Sequence, residues 1–398
     1  MSSVILLPAI WLIILIVGLP QLSETVYTPS LPDIANGLST TESMVESTLS
    51  IYLAAFAIGT LFWGRLSDTY GRKPCVIIGL LCFVFGCVWC YYSTTIYLLL
   101  AGRFVQAFGG STGSVLGQAI CRDAFDGPEL GKVFALLGSA LAIFPAVGPI
   151  IGGFIAEQYG WQAIFLFLIA VASILICLIF VLLPETLKKQ NQIIPSTKAI
   201  WYLLSKDWHV LGLGFIVAAC NGIMFSYFAE GPFYLISLLQ LRPTYYGLTF
   251  ILVAAGTLAG GITSRYLHRF FNGTRIMQYG LYIICFSSFL FSCFVSTAFL
   301  GLALSNKVLI FVTILSQLMV SFGICMATTN ALATALIEYK WCIGTASALF
   351  GFFYYCLISA FTFGMAWLHN GTLYPMPFYF FGLGLAMILV ARSIVKTT

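Results

Sequence analysis

Glu24 and Arg103 draw attention first, because each is an ionisable residue set in a long stretch that is otherwise uncharged. A charge at the centre of a membrane-spanning helix costs roughly 2.5–3.5 kcal/mol even on mild insertion scales, so keeping one there needs a reason. A carboxylic acid in such a place can load and release a proton. Arginine keeps its charge and must find carboxylates, carbonyls or water. The spacing places Glu24 near the middle of a helix over about residues 5–34, and Arg103 roughly two turns inside another. Together they could couple protons to movement, Arg103 balancing Glu24 when ionised and being released when it is protonated. The plainer readings stay open: a Glu24 hydrated at a water-filled helix end, and an Arg103 tying helices together through carbonyls.

The elements that must carry these two residues follow from composition. The 398 residues are 60% hydrophobic and only 8% charged, against about 25% charged in an average soluble protein. Eighteen Lys+Arg and thirteen Asp+Glu cannot coat a soluble globule of this length, so most of its surface must face lipid. A spanning helix needs about 20 mostly apolar residues. The uncharged runs supply eleven such stretches, and the last, 341–391, divides around His369 to Pro377, which makes twelve spans. The first stretch lacks a signal peptide's basic flank and cleavage site, so it reads as a retained helix. The expected fold is therefore an all-α polytopic membrane protein, with twelve transmembrane helices in two six-helix bundles.

Charge in the loops orients the chain. Fifteen basic residues, Arg65, Arg72, Lys73, Arg122 and Lys340 among them, fall in alternate loops or the C-terminal tail; only Arg242 and Lys307 fall in the opposite set. Both termini are expected to be cytoplasmic. The expected division is a bundle over 1–184, a cytoplasmic linker over 185–206 and a bundle over 207–398. The later part of the linker reads as an amphipathic surface helix, with Trp201, Tyr202, Leu203 and Leu204 toward lipid. GRLSDTYGRK at 64–73 and GGITSRYLHR at 260–269 leave a weak trace of duplication, as in transporters built from parallel halves.

The chain resembles the major facilitator superfamily in GRLSDTYGRKP at 64–74, in Arg103 with Gln106 and Gly109, in PAVGPIIGG at 145–153 and in LPET at 183–186. ICRDAF at 120–125, MFSYFAEGPF at 224–233, TNALATAL at 329–336 and QLSETVYTPSLPDIA at 21–35 are similar to its Bcr/CflA group of drug:proton antiporters. The resemblance implies proton-driven export of small, largely apolar or cationic molecules by alternating access. It also implies a coupling role for Arg103, and a gating role for Gly64, Arg65, Asp68, Gly71 and Arg72 in the first loop and for Gly148, Pro149, Gly152 and Gly153. The latter segment is expected to help seal the cytoplasmic side, and Asp68 to latch the halves together. One departure is clear: the commoner pattern carries Asp where this chain has Thr25, and Glu24 lies one position earlier, about 100° round the helix.

Gln21, Tyr27, Tyr52, Gln106, Asn221, Tyr227 and Glu230 are the candidates to line a substrate cavity, through aromatic faces and a few polar anchors. Glu230 is placed near the outer surface, where hydration would suffice for it. Gly109, Gly113 and Gly117 recur every four residues and permit close helix packing. Cys87 and Cys90 form a C-x-x-C inside an apolar run with no partner pair or nearby histidine, so no metal is expected. No Ser/His/Asp set, phosphate loop or nucleotide fingerprint appears, so neither an enzyme, a cofactor nor ATP-driven transport is expected. No basic face exists for nucleic acid. The expected partners are a small-molecule substrate, protons and lipid, and the chain is expected to act as a monomer. An exporter of one metabolite or siderophore, or an importer or uniporter on the same scaffold, is the alternative.

Overall fold

The computed structural model describes residues 7–125, 127–187, 197–297 and 304–397. Its helices in chain order are α1 (Ile10–Val26), α2 (Leu31–Gly37), α3 (Glu42–Tyr70), α4 (Arg72–Tyr91), α5 (Ile96–Ala124), α6 (Gly127–Tyr159), α7 (Gln162–Leu182), α8 (Thr197–Lys206), α9 (Trp208–Pro232), α10 (Pro243–Leu267), α11 (Gly273–Ser296), α12 (Asn306–Ala335), α13 (Ile343–Leu368) and α14 (Pro375–Thr397). With α1 and α2 taken as one span and α8 set aside, twelve crossings result, six on either side of α8. Ten of these spans are long and apolar enough to cross a membrane by composition alone. The other two are α5, which carries Arg103, and α6, which carries Pro145 and Pro149.

Local chemistry sets the helix ends. Thr41 and Thr95 cap α3 and α5 by accepting from Met44 N and Leu98 N, and Asp207 caps α9 by accepting from His209 N and Val210 N. The first span is not the continuous helix expected over 5–34. Pro29 and Pro32 lack the amide hydrogen that a helix interior requires, so α1 stops at Val26, a 3-10 turn covers Thr28–Ser30 and α2 resumes at Leu31. Residues 188–196 of the expected linker lie outside the described residues. Its later part is helical as expected, but one side differs: Ile200 and Leu204 are buried while Trp201, Tyr202 and Leu203 stay exposed. Leu204 lies four residues from Ile200, on the same helix face, and both join the core beneath α8.

Glycines let the helices close up. A methyl group at Gly109 would collide with backbone of α4, and one at Gly113 or Gly117 with α1, so that ladder is a packing surface. The halves meet through α3 against α13 and α6 against α10. The hydrogen bonds seen to join them include Ser43 Oγ donating to the Ala366 carbonyl (2.6 Å), Ser359 Oγ donating to the Ser50 carbonyl (2.7 Å) and Thr244 N donating to Glu157 (3.3 Å). All lie in the half of the bundle away from the termini. Toward the termini, the series ends at mid-helix where Phe56 and Tyr355 pack with ring centroids 5.0 Å apart.

Candidate functional site

Arg103 projects from α5 and is completely buried. Its guanidinium carbon lies 4.4 Å from the centre of the Tyr27 ring and 4.2 Å from that of Tyr52, so two aromatic faces clasp the cation. Nη1 donates to Gln106 Oε1 at 2.6 Å, one turn further along α5. Gln106 Nε2 in turn reaches Ser23 Oγ at 3.2 Å and Cys87 Sγ at 3.1 Å, linking α5 to α1 and α4. Tyr27 is held from its other end, where Thr48 Oγ1 donates to its hydroxyl at 3.2 Å.

Glu24 is buried beside this assembly and feels the charge of Arg103. The two form no direct ion pair among the described residues, so the expected pairing is a through-space one in this conformation. Glu24 Oε1 and Arg103 Nε and Nη2 have no hydrogen-bond partner among the described residues. Each such orphan costs about 1–3 kcal/mol. Thr25, at the position where the commoner pattern has Asp, faces α6 instead: its hydroxyl donates to the Gln21 carbonyl at 3.0 Å, and a methyl at Gly148 would strike it. The one-position shift therefore moves the carboxylate from the α6 face to the Arg103 face. Tyr355 of α13 packs from the second half on the neighbouring cluster of Tyr52, Ala55, Phe56 and Ala107.

Of the expected cavity residues, Tyr27, Tyr52 and Gln106 thus surround Arg103, and Gln21 is half-buried on α1. Asn221 instead donates to its own helix at the Val217 carbonyl (2.8 Å), and Tyr227 packs on Phe250 with centroids 5.7 Å apart. The gating loop is closed within the first half. Arg72 Nη1 meets Asp68 Oδ1 at 2.6 Å and Arg72 Nε meets Asp123 Oδ2 at 2.8 Å. Gly71 takes φ +103°, a turn that suits glycine. Glu185 of the LPET segment then accepts from Arg72 N (2.9 Å) and Lys73 N (3.1 Å), capping α4. Among the described residues no bond from Asp68 reaches the second half. Arg65 is exposed, and Gly64 sits beside Val115.

The PAVGPIIGG segment does not lie where it was expected to seal. A methyl at Gly153 would come within 2.6 Å of the Pro243 carbonyl oxygen, and Gly247 backs against Pro149. These contacts close the end away from the termini, because residues 148–153 lie in the later part of α6, toward Tyr159.

Glu230 also departs from expectation. Rather than hydrated at a surface, it is fully buried, with Oε2 2.8 Å from His369 Nδ1. The same Nδ1 lies 3.0 Å from Glu46 Oε1, and Nε2 lies 2.8 Å from Glu42 Oε2. Burial works against charge on His369, but the hydrogen bond with Glu230 and the charges of Glu230 and Glu46 prevail and push its pKa up to about 11. Glu46, fully buried on α3, was missed because it borders an uncharged run and so looked like loop. A signal was there: Glu42 and Glu46 share one helix face at i,i+4.

A bundle of twelve apolar helices with a buried cation and carboxylate at the seam of its halves defines a multi-pass membrane transporter. Residues 13–363 match the Major Facilitator Superfamily, and the chain belongs to that family. An uncharacterized transporter of Rickettsia felis is 32% identical over 381 residues, covering 94% of this chain and 92% of that one. Multidrug resistance protein D of Escherichia coli is 26% identical over 222 residues, 54% of this chain and 56% of that one. The inward-open xylose transporter XylE of Escherichia coli superposes with a TM-score of 0.75 at 14% identity, covering 97% of this chain and 95% of that one, which is a likeness of fold.

Proposed function

We propose that this chain exports small, largely apolar or cationic molecules across a bacterial inner membrane in exchange for protons, by alternating access. The observation that carries the reading is a carboxyl group and a guanidinium buried together: Glu24 and Arg103, both fully buried, both with polar atoms that have no partner among the described residues, and with no bond to each other. An arginine between two tyrosine rings is a fixed positive charge. A carboxylic acid within its field is a group whose proton can be exchanged for a cationic or polarisable substrate. Loading Glu24 from one side and unloading it to the other links proton entry to substrate exit, provided both cannot be carried at once.

Alternation is supported by where the halves touch. With the termini cytoplasmic, as the basic loops argue, the closed end is the outer one. The first-loop cluster of Asp68, Arg72 and Asp123 is then the latch of the opposite state, withdrawn here into its own half. The halves 1–184 and 207–398 rock about the Glu24 site, joined by the 185–206 connection. Names of relatives such as the bicyclomycin resistance protein homolog of Haemophilus influenzae, 31% identical over 253 residues, support drug-like substrates.

The test is purified protein in liposomes with an internal pH dye and a fluorescent lipophilic cation. An antiporter releases protons on the side that the cation leaves, and an acid exterior drives the cation outward against its own gradient. Cation movement with protons in the same direction would mean symport, and movement indifferent to the pH gradient would mean uniport; either sinks the reading.

A further inference from the structure

The geometry points to a divalent transition-metal site at the closed end, formed by Glu46, Glu230 and His369 and steadied by Glu42. The candidate ligand atoms of the first three lie within 4.8 Å of one another. His369 Nδ1 stands 2.8 Å from Glu230 Oε2 and 3.0 Å from Glu46 Oε1. Ligands held about 2.0–2.2 Å from one ion sit about 2.8–3.6 Å apart at right-angle to tetrahedral geometry, so these spacings admit an ion with small side-chain shifts.

The polar atoms are aimed inward and left wanting. Among the described residues neither oxygen of Glu46 has a hydrogen-bond partner, nor does Glu230 Oε1, and both residues are fully buried. One imidazolium proton on Nδ1 cannot serve two carboxylates well, and the other N–H is already directed to Glu42. A dication balances Glu46 and Glu230 charge for charge. Glu42, more exposed, would then hold Nε2–H and present Nδ1 to the metal, the usual outer carboxylate behind a ligating histidine. Phe233 packs against the imidazole edgewise at 5.7 Å and limits its rotation. One imidazole and two carboxylates without sulfur suit Zn²⁺ or Mn²⁺ rather than Cu⁺.

The donors come from both halves: Glu42 and Glu46 from α3, Glu230 from α9 and His369 from the end of α13. The site is therefore complete only while this end is shut, and an ion bound there holds it shut.

The experiment is titration of the full chain in detergent with Mn²⁺, followed by electron paramagnetic resonance, alongside the zinc K-edge absorption of a Zn²⁺-loaded sample. Thiols are blocked first, since the twelve cysteines are unbridged and compete for Zn²⁺. One saturable Mn²⁺ per chain is expected, weakened at least tenfold by Glu46→Gln and by His369→Gln, about tenfold by Glu42→Gln, and unchanged by Glu338→Gln at the other end. The zinc spectrum should show a nitrogen and oxygen shell, which reads the wild-type chain even if a variant does not fold. A sulfur shell near 2.3 Å, Mn²⁺ uptake without saturation, or variants that bind like the wild type would each overturn the site and leave a proton-only cluster.

Discussion

His369 Nδ1 and Glu46 Oε1 lie 3.0 Å apart across the seam between the two halves, although 323 residues separate them in the chain. Breaking a buried ion pair by removing one partner costs about 3–5 kcal/mol, and in the proposed orientation this pair holds the outer end closed. His369→Gln should therefore favour the outer-open state. A cysteine at Ser43, which bonds across the seam to the Ala366 carbonyl, should label from outside more than tenfold faster in this background with an impermeant maleimide. An unchanged rate would show that the cluster does not hold the gate.

Glu24→Gln keeps the shape of the side chain and removes its titratable proton. Uphill efflux driven by a pH gradient should vanish, while downhill exchange of labelled substrate persists. Glu24→Asp should keep partial coupling with a moved pH optimum. Full proton-dependent efflux in Glu24→Gln would place coupling elsewhere, with Asp33 or the Glu46 and Glu230 group next to test.

Arg103→Lys preserves charge but loses the planar group between the Tyr27 and Tyr52 rings and the bond to Gln106. A desolvated cation–π contact is worth about 2 kcal/mol, so turnover should fall at least tenfold in a protein that still purifies as a single species. Turnover within twofold of wild type would reduce Arg103 to a point charge.

Gly152→Ala and Gly153→Ala should fail differently. A methyl at Gly152 meets the Val26 carbonyl inside the first half, whereas one at Gly153 meets Pro243 of the second. Overpacking costs about 1–3 kcal/mol. Gly152→Ala should lower the thermal unfolding midpoint, and Gly153→Ala should instead raise labelling from the outer side. The same loss of midpoint in both would argue that Gly153 supports folding and not the gate.

Among the described residues Asp68 bonds only to Arg72 in this state. Asp68→Asn should slow cycling several-fold while substrate affinity, measured by equilibrium binding, stays within twofold. Equal loss of affinity and rate would place Asp68 in the binding site.

Spans, their number and the polar residues stranded in them were legible in the sequence, because lipid admits so few ways of satisfying a backbone. A charge inside a long apolar run announces itself, which is why Glu24 and Arg103 could be singled out without coordinates. Close packing at Gly109, Gly113 and Gly117 was legible for a similar reason, since a four-residue repeat is a property of one helix. What one helix does not contain was hidden. That Tyr27 and Tyr52 clasp Arg103, that Thr25 turns to α6 while Glu24 turns to α5, and that residues 148–153 close the end away from the termini all depend on which helix lies opposite. Glu46, Glu230 and His369 make the sharpest case. Each sits near the end of an apolar run, where ionisable residues are ordinarily hydrated. Only the tertiary fold, by shutting the two halves over them, removes that water and leaves three carboxylates around one imidazole.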